Sequence, residues 1–113
     1  MLTLRLYMLQ RITALLMAPL VVGHLAVMIT AVQGGLSTAE ILGRTQGSAA
    51  WFLFYGTFVV AVCIHAAIGL RVVAHEWGGL KGIGLDVLMW ITGLGLFALG
   101  ARAVWAVTFG AAL

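Results

Sequence analysis

A histidine lies deep inside an apolar run of this sequence. His65 stands in the segment 64–71, where the only other charged or titratable residue is the closing Arg71. An imidazole in hydrocarbon is costly unless it is paired, hydrogen-bonded or bound to a metal, so it marks a functional site by default. A segment that carries such a residue in lipid should be a helix, because every backbone group there must find its partner within its own segment.

The composition agrees with a membrane location. Hydrophobic residues make up 64% of the 113 residues and charged residues 8%. A soluble domain of this length could not bury so much apolar surface. We therefore predict one integral membrane domain, residues 1–113, in which the net charge of +3 reflects topology and no nucleic acid is bound. The single cysteine, Cys63, excludes a disulfide within the chain.

Three stretches are long enough to cross the hydrocarbon, which takes about 20 apolar residues. They cover residues 12–32, 49–74 and 84–109. The predicted fold class is all-α, with three transmembrane helices. A signal peptide is the alternative interpretation of the first stretch, but the apolar run is longer than a typical signal core and is followed by a poor cleavage site.

The connections between the spans predict the orientation. The N-terminus and the second connection carry most of the basic residues: Arg5, Arg11, Arg71 and Lys81. Basic residues favour the cytoplasmic side. We therefore expect a multi-pass protein of the inner (cytoplasmic) membrane, with the N-terminus inside and the C-terminus outside.

The first connection is predicted to contain a short surface helix. Ser37 and Glu40 have the spacing of a capping box, in which the serine caps a helix and the acid reaches back. Glycines at positions 34, 35 and 43 would bound this helix.

His65, Gly69 and Arg71 have the spacing of a haem b site. On a helix, Gly69 lies on the same face as His65 and leaves room for a flat ligand. Arg71 follows roughly 9 Å further along the axis, a suitable distance for anionic groups at the edge of the ligand. The sequence thus predicts that these three residues bind the cofactor, with His65 as the iron ligand.

His24 is the candidate for a second axial ligand. It follows Arg11 by thirteen residues, and His65 precedes Glu76 by eleven. If Arg11 and Glu76 mark one interface, the two histidines lie at similar depths of roughly 20 and 16 Å. Facing histidines on two antiparallel helices would then hold one iron. The alternative is that only His65 binds iron, that another chain supplies the second ligand, and that His24 bonds a helix carbonyl.

The same residues resemble a known family. The run from His65 through Gly69 to Arg71, with Glu76 beyond it, resembles helix II of the cytochrome b membrane-anchor subunits of succinate dehydrogenase and fumarate reductase. The segment 10–14, Gln-Arg-Ile-Thr-Ala, is similar to the family's His-Arg-x-Ser/Thr-Gly at the start of its first span.

The pattern leaves open which anchor subunit is meant. The small partner anchor of the same complex has a similar histidine run, followed by an acid and an aromatic residue, as Glu76 and Trp77 are here. The chain departs from the larger subunit at Gln10, where that subunit has a histidine, and at Val72, where a second histidine often stands.

The resemblance implies a function in electron transport. The chain would bind haem b, dock a flavoprotein subunit with FAD and an iron–sulfur subunit with its clusters, and pair with a second membrane anchor chain. It would not be catalytic alone, but would form part of an oxidoreductase that exchanges electrons with quinone. The family pattern places quinone near Arg11, Tyr7 and Trp77. The alternatives are a head-group aromatic belt for Tyr7 and Trp77, and a positive-inside anchor for Arg11.

Another class of function stays open. The chain could be a haem-free structural subunit, or an ion- or proton-conducting subunit, of another respiratory complex. Conduction usually needs a series of ionisable groups across the bilayer, and the outer halves of the spans offer little beyond Arg102.

Overall fold

The computed structural model describes residues 3–110, which form four α-helices and no strand. In chain order they are α1 (Leu4–Gly34), α2 (Thr38–Thr45), α3 (Ala49–Gly78) and α4 (Ile83–Thr108). The three long helices are each sufficiently long and apolar to cross a membrane. The predicted all-α class with three spans is confirmed, and the chain is a multi-pass membrane protein.

The long helices extend beyond two of the predicted spans because local caps, and not the limits of the apolar run, end them. α1 begins at Leu4, where the Thr3 hydroxyl accepts a hydrogen bond from the Leu6 amide at 3.3 Å. α3 continues to Gly78 and is ended by Gly79, which takes the left-handed conformation with φ of 70°. The polar ends of both helices therefore project past the stretches that hydropathy alone identifies.

The short helix of the first connection is also confirmed. The Ser37 hydroxyl caps α2 by accepting from the Glu40 amide at 3.2 Å. The predicted boundary at Gly43 is wrong, since α2 continues to Thr45. Gly47, with φ of 72°, turns the chain toward α3 instead.

The loop after α2 fastens the end of α4. The Thr45 hydroxyl donates to the Val107 carbonyl at 2.6 Å, and the Gly47 amide donates to the Thr108 carbonyl at 2.5 Å. Carbonyls at the end of a helix have no partner within it, so these bonds satisfy groups that would otherwise stay unpaired. The first connection and the end of α4 thereby form one fixed unit.

α3 is the centre of the bundle. α1 and α4 both pack against it and hardly contact each other. Glycines let α4 approach closely: a Cβ added to Gly100 would lie 2.6 Å from a Val59 methyl group, and one added to Gly93 would lie 3.4 Å from the Ala67 Cβ.

The antiparallel α1 and α3 are held in one register by small residues. A Cβ added to Gly23 would meet the Phe54 ring at 3.3 Å, and one added to Gly69 would meet the Gln10 side chain at 3.4 Å. Residues nearer the end of α1 therefore lie level with residues nearer the start of α3. This register decides which polar residues of the two helices meet.

Candidate functional site

His65 meets a threonine of the neighbouring helix. Its Nδ1 lies 3.2 Å from the Thr13 hydroxyl oxygen. Thr13 is only 3% exposed, and its hydroxyl also lies 2.8 Å from the Leu9 carbonyl oxygen and 3.1 Å from that of Gln10. Across residues 3–110, His65 has no other hydrogen bond, so its Nε2 has no protein partner there.

One turn after His65, the Gln10 side chain of α1 packs against Gly69. Within residues 3–110, and apart from its chain neighbours and the backbone of its own helix, only the Gln10 Nε2 lies within 4 Å of a Cβ built on Gly69, at 3.4 Å. The Oε1 of Gln10 is buried and accepts no hydrogen bond from the described part of the chain. A buried acceptor without a partner in residues 3–110 therefore belongs to the side chain that packs against Gly69.

Arg71 is nearly buried and forms an ion pair. Its side chain is 14% exposed, and its Nη1 lies 2.5 Å from Oδ1 of Asp86 on α4. The partner of Arg71 is thus on the next helix, and Glu76 of its own helix does not take part. The Nε of Arg71 is buried and finds no acceptor among residues 3–110. Arg71 therefore has one buried donor that the ion pair with Asp86 does not use.

Sequence reasoning did not assign Asp86 to the site. The available signal was its position: Arg71 and Asp86 carry opposite charges and lie on two antiparallel helices joined by a short turn. Such a hairpin brings residues on either side of the turn together.

The structure does not bring His24 and His65 together. The His24 ring lies 5.1 Å from the Phe58 ring and 6.1 Å from the Tyr55 ring, centroid to centroid. Because His65 is level with Thr13, eleven residues before His24, the two imidazoles are separated by about 16 Å along the helix axes. The expectation that they face each other at similar depth is not met.

The error lay in the assumed register. The sequence argument placed Arg11 level with Glu76. The contact between Gln10 and Gly69 puts Arg11 near the level of Ile68 instead, eight residues from Glu76 and about 12 Å along the axis. Glu76 lies in the exposed last turn of α3, which extends beyond the part that packs on α1.

Tyr7 and Arg11 form a pair at the end of the bundle where α1 begins and α3 ends. Arg11 Nη1 donates to the Tyr7 hydroxyl at 3.3 Å, and the Arg11 guanidinium carbon lies 5.7 Å from the centroid of the Tyr7 ring. Trp77, at the end of α3, is 86% exposed and projects from the surface. The structure thus brings together two of the three residues predicted to bind quinone, and leaves the third at the same end.

The third histidine is hydrogen-bonded within the turn between α3 and α4. His75 Nδ1 donates to the Leu80 carbonyl at 2.9 Å, within the connection between α3 and α4. Within residues 3–110, no three side chains of His, Cys, Asp or Glu are grouped so that they could hold a metal ion.

The sequence matches one family model over residues 1–85, that of the succinate dehydrogenase/fumarate reductase transmembrane subunit. The matched range contains His24, His65 and the Tyr7–Arg11 pair, and ends in the first turn of α4. No curated protein and no solved structure matches the sequence.

Proposed function

Because the chain belongs to the family of succinate dehydrogenase/fumarate reductase transmembrane subunits, we propose that it is a haem b-binding membrane anchor of such an oxidoreductase. The strongest support for this proposal is the location and hydrogen bonding of the His65 imidazole. Its imidazole lies inside a membrane-spanning helix, is bonded through Nδ1 to Thr13, and has an Nε2 without a partner in residues 3–110. A free imidazole nitrogen is an axial ligand for haem iron.

The residues around His65 fit the cofactor. Gly69 has no side chain, so among the described residues only the Gln10 side chain would have to move for a flat macrocycle to lie against this part of α3. Two buried polar atoms, Oε1 of Gln10 and Nε of Arg71, have no hydrogen-bond partner in residues 3–110. Arg71 would hold a propionate through the donor that Asp86 does not occupy. When bound, haem b supplies a one-electron redox centre within the membrane.

In this proposal, any second protein ligand to the iron would come from another chain. His24 is separated from His65 by about 16 Å along the helix axes, too far to reach the same iron. The open faces of α1 and α3 beside His65 offer room for a helix of a second membrane anchor chain. His24 stays a predicted ligand only for a separate site that such a partner would complete.

The positions of the basic residues indicate the end of the bundle at which the partner subunits would dock. Arg5, Arg11, Arg71 and Lys81 lie toward the end formed by the start of α1, the end of α3 and the start of α4. Basic residues favour the cytoplasmic side, so we assign this end to the inside of the inner membrane, with the C-terminus outside. The flavoprotein and iron–sulfur subunits, which carry FAD and the iron–sulfur clusters, would dock here.

Quinone would bind at the same end, against Arg11 and Tyr7. A quinone carbonyl that gains electrons develops negative charge, which the Arg11 guanidinium stabilises. Arg11 donates to the oxygen of Tyr7, so the phenol proton is left free to hydrogen-bond the carbonyl. Trp77 would cover the ring from the end of α3.

The absorption spectrum tests this function. The purified complex that contains the chain should show reduced b-type bands, and His65→Ala should remove the bands assigned to this site. His75→Ala is the matched control, because this histidine of the same helix is engaged with the Leu80 carbonyl and should leave the spectrum unchanged. A wild-type complex without b-type absorbance would contradict the proposal and favour a haem-free structural or ion-conducting subunit. Bands that persist in His65→Ala would place the iron elsewhere.

A further inference from the structure

Thr13 is almost fully buried, and its hydroxyl makes three polar contacts. Its hydroxyl oxygen lies 2.8 Å from the Leu9 carbonyl oxygen, 3.1 Å from that of Gln10 and 3.2 Å from His65 Nδ1. The residue is 3% exposed, so no solvent or lipid group competes for these contacts. A threonine hydroxyl in a helix commonly donates to the carbonyl four residues earlier, and Leu9 is that residue.

The direction of these bonds defines the protonation of His65. A hydroxyl has one proton and two lone pairs. Because the Thr13 proton is directed to the Leu9 carbonyl, its oxygen accepts from His65. The Nδ1 of His65 then carries the hydrogen, and in a neutral imidazole the lone pair is on Nε2.

From this geometry we infer that Thr13 is a positioning residue for the iron ligand, which rests on the proposed haem site at His65. It holds the imidazole in the tautomer that presents a lone pair at Nε2 and limits rotation of the ring. Partners that accept from the second nitrogen of a ligating histidine also raise its basicity. Thr13 therefore tunes the iron through His65 without contacting it.

The main test removes the Thr13 hydroxyl while keeping the shape of the side chain. Thr13→Val should lower the affinity of the complex for haem by about 10–100-fold, the usual effect of removing such a partner. In the haem that remains, the midpoint potential should shift upward, since a less basic imidazole stabilises the oxidised iron less. Thr13→Ser, which keeps the hydroxyl, should restore both properties. The measurements are haem content per chain and an optical redox titration of the purified complex.

Thr30→Val is the matched control. Thr30 lies on the same helix and donates to the Ala26 carbonyl at 2.9 Å, but its hydroxyl contacts no histidine. This variant should behave as the wild type does. If Thr13→Val prevents assembly, Thr13→Ala provides the same comparison with a smaller side chain that cannot clash.

The outcomes separate the two proposals. A wild-type complex without haem would overturn the proposed function, whatever Thr13 does. A haem-containing complex in which Thr13→Val or Thr13→Ala leaves both affinity and potential unchanged would overturn the role of Thr13 alone. The same holds if Thr13→Ser shifts the potential as far as Thr13→Val does.

Discussion

Arg71 of α3 and Asp86 of α4 form an ion pair, with Nη1 and Oδ1 2.5 Å apart across the helix hairpin. The carboxylate is more than half exposed, whereas the arginine side chain is 14% exposed. The pair therefore neutralises a nearly buried guanidinium at the point where two spanning helices meet. It also occupies only part of the guanidinium, since Nε remains without a partner in the described residues.

Removing that carboxylate should destabilise the hairpin. Asp86→Asn leaves Arg71 without its counter-charge, and we expect a loss of about 1–3 kcal/mol, between the values for exposed and for buried pairs. Glu76→Gln is the control, because Glu76 is exposed and forms no ion pair within residues 3–110. Unfolding in mixed micelles would measure both variants. Equal stability of the two would show that Arg71 does not depend on Asp86.

The contact between α3 and α4 depends on a glycine. Gly100→Ala would place a methyl group 2.6 Å from a Val59 side-chain carbon, so the helices must separate or Val59 must move. We expect a loss of about 1–3 kcal/mol, as for overpacking in a core. Gly95→Ala on the same helix should be neutral or slightly stabilising, because no atom of residues 3–110 beyond the adjacent part of α4 lies within 4 Å of the added methyl. Thermal inactivation of the purified complex compares them, and an equal effect of both would contradict close packing at Gly100.

His24 should be dispensable for the haem that His65 binds. The two imidazoles are about 16 Å apart along the helix axes. His24→Ala is therefore expected to keep the reduced b-type bands that His65→Ala removes. Difference spectra of the purified complexes provide the measurement. Complete loss of the bands in His24→Ala would mean that the two histidines share one iron, contrary to the observed register.

Arg11 should matter for quinone more than other basic residues at the same end. Arg11→Gln removes the cation that would stabilise charge on the quinone oxygen, and we expect quinone reduction to fall by roughly tenfold or more. Arg5→Gln is the control, since it removes an exposed charge from the same helix. Steady-state assays with a soluble quinone would compare the variants at unchanged haem content. Similar activities of the two variants would reduce Arg11 to a topological anchor.

The spans were predictable because hydrocarbon sets the length of an apolar helix. The capped helix after Ser37 was also predictable, because capping depends on residues three positions apart. The register between α1 and α3 was not. It depends on how Gly23 and Gly69 accommodate Phe54 and Gln10, and such contacts between distant segments have no local signal in the chain.

That register is why the candidate site differs from the expected one. His65 and the neighbouring Gly69 were identified from polarity and spacing within one helix. The partner of His65 was missed, although Thr13 lies in the segment that resembles the family's first-span motif. The separation of His24 from His65 has the same cause, since charges near the interface mark depth only to within a few turns of helix.

The arrangement of α1 and α4 on either side of α3 has a consequence for the whole assembly. Because α1 and α4 hardly contact each other, most of the surface of both outer helices stays exposed to lipid or to other chains. A haem held by His65, as proposed, would then be covered in part by neighbouring subunits. Insertion of the cofactor and association of the subunits would be a single coupled event.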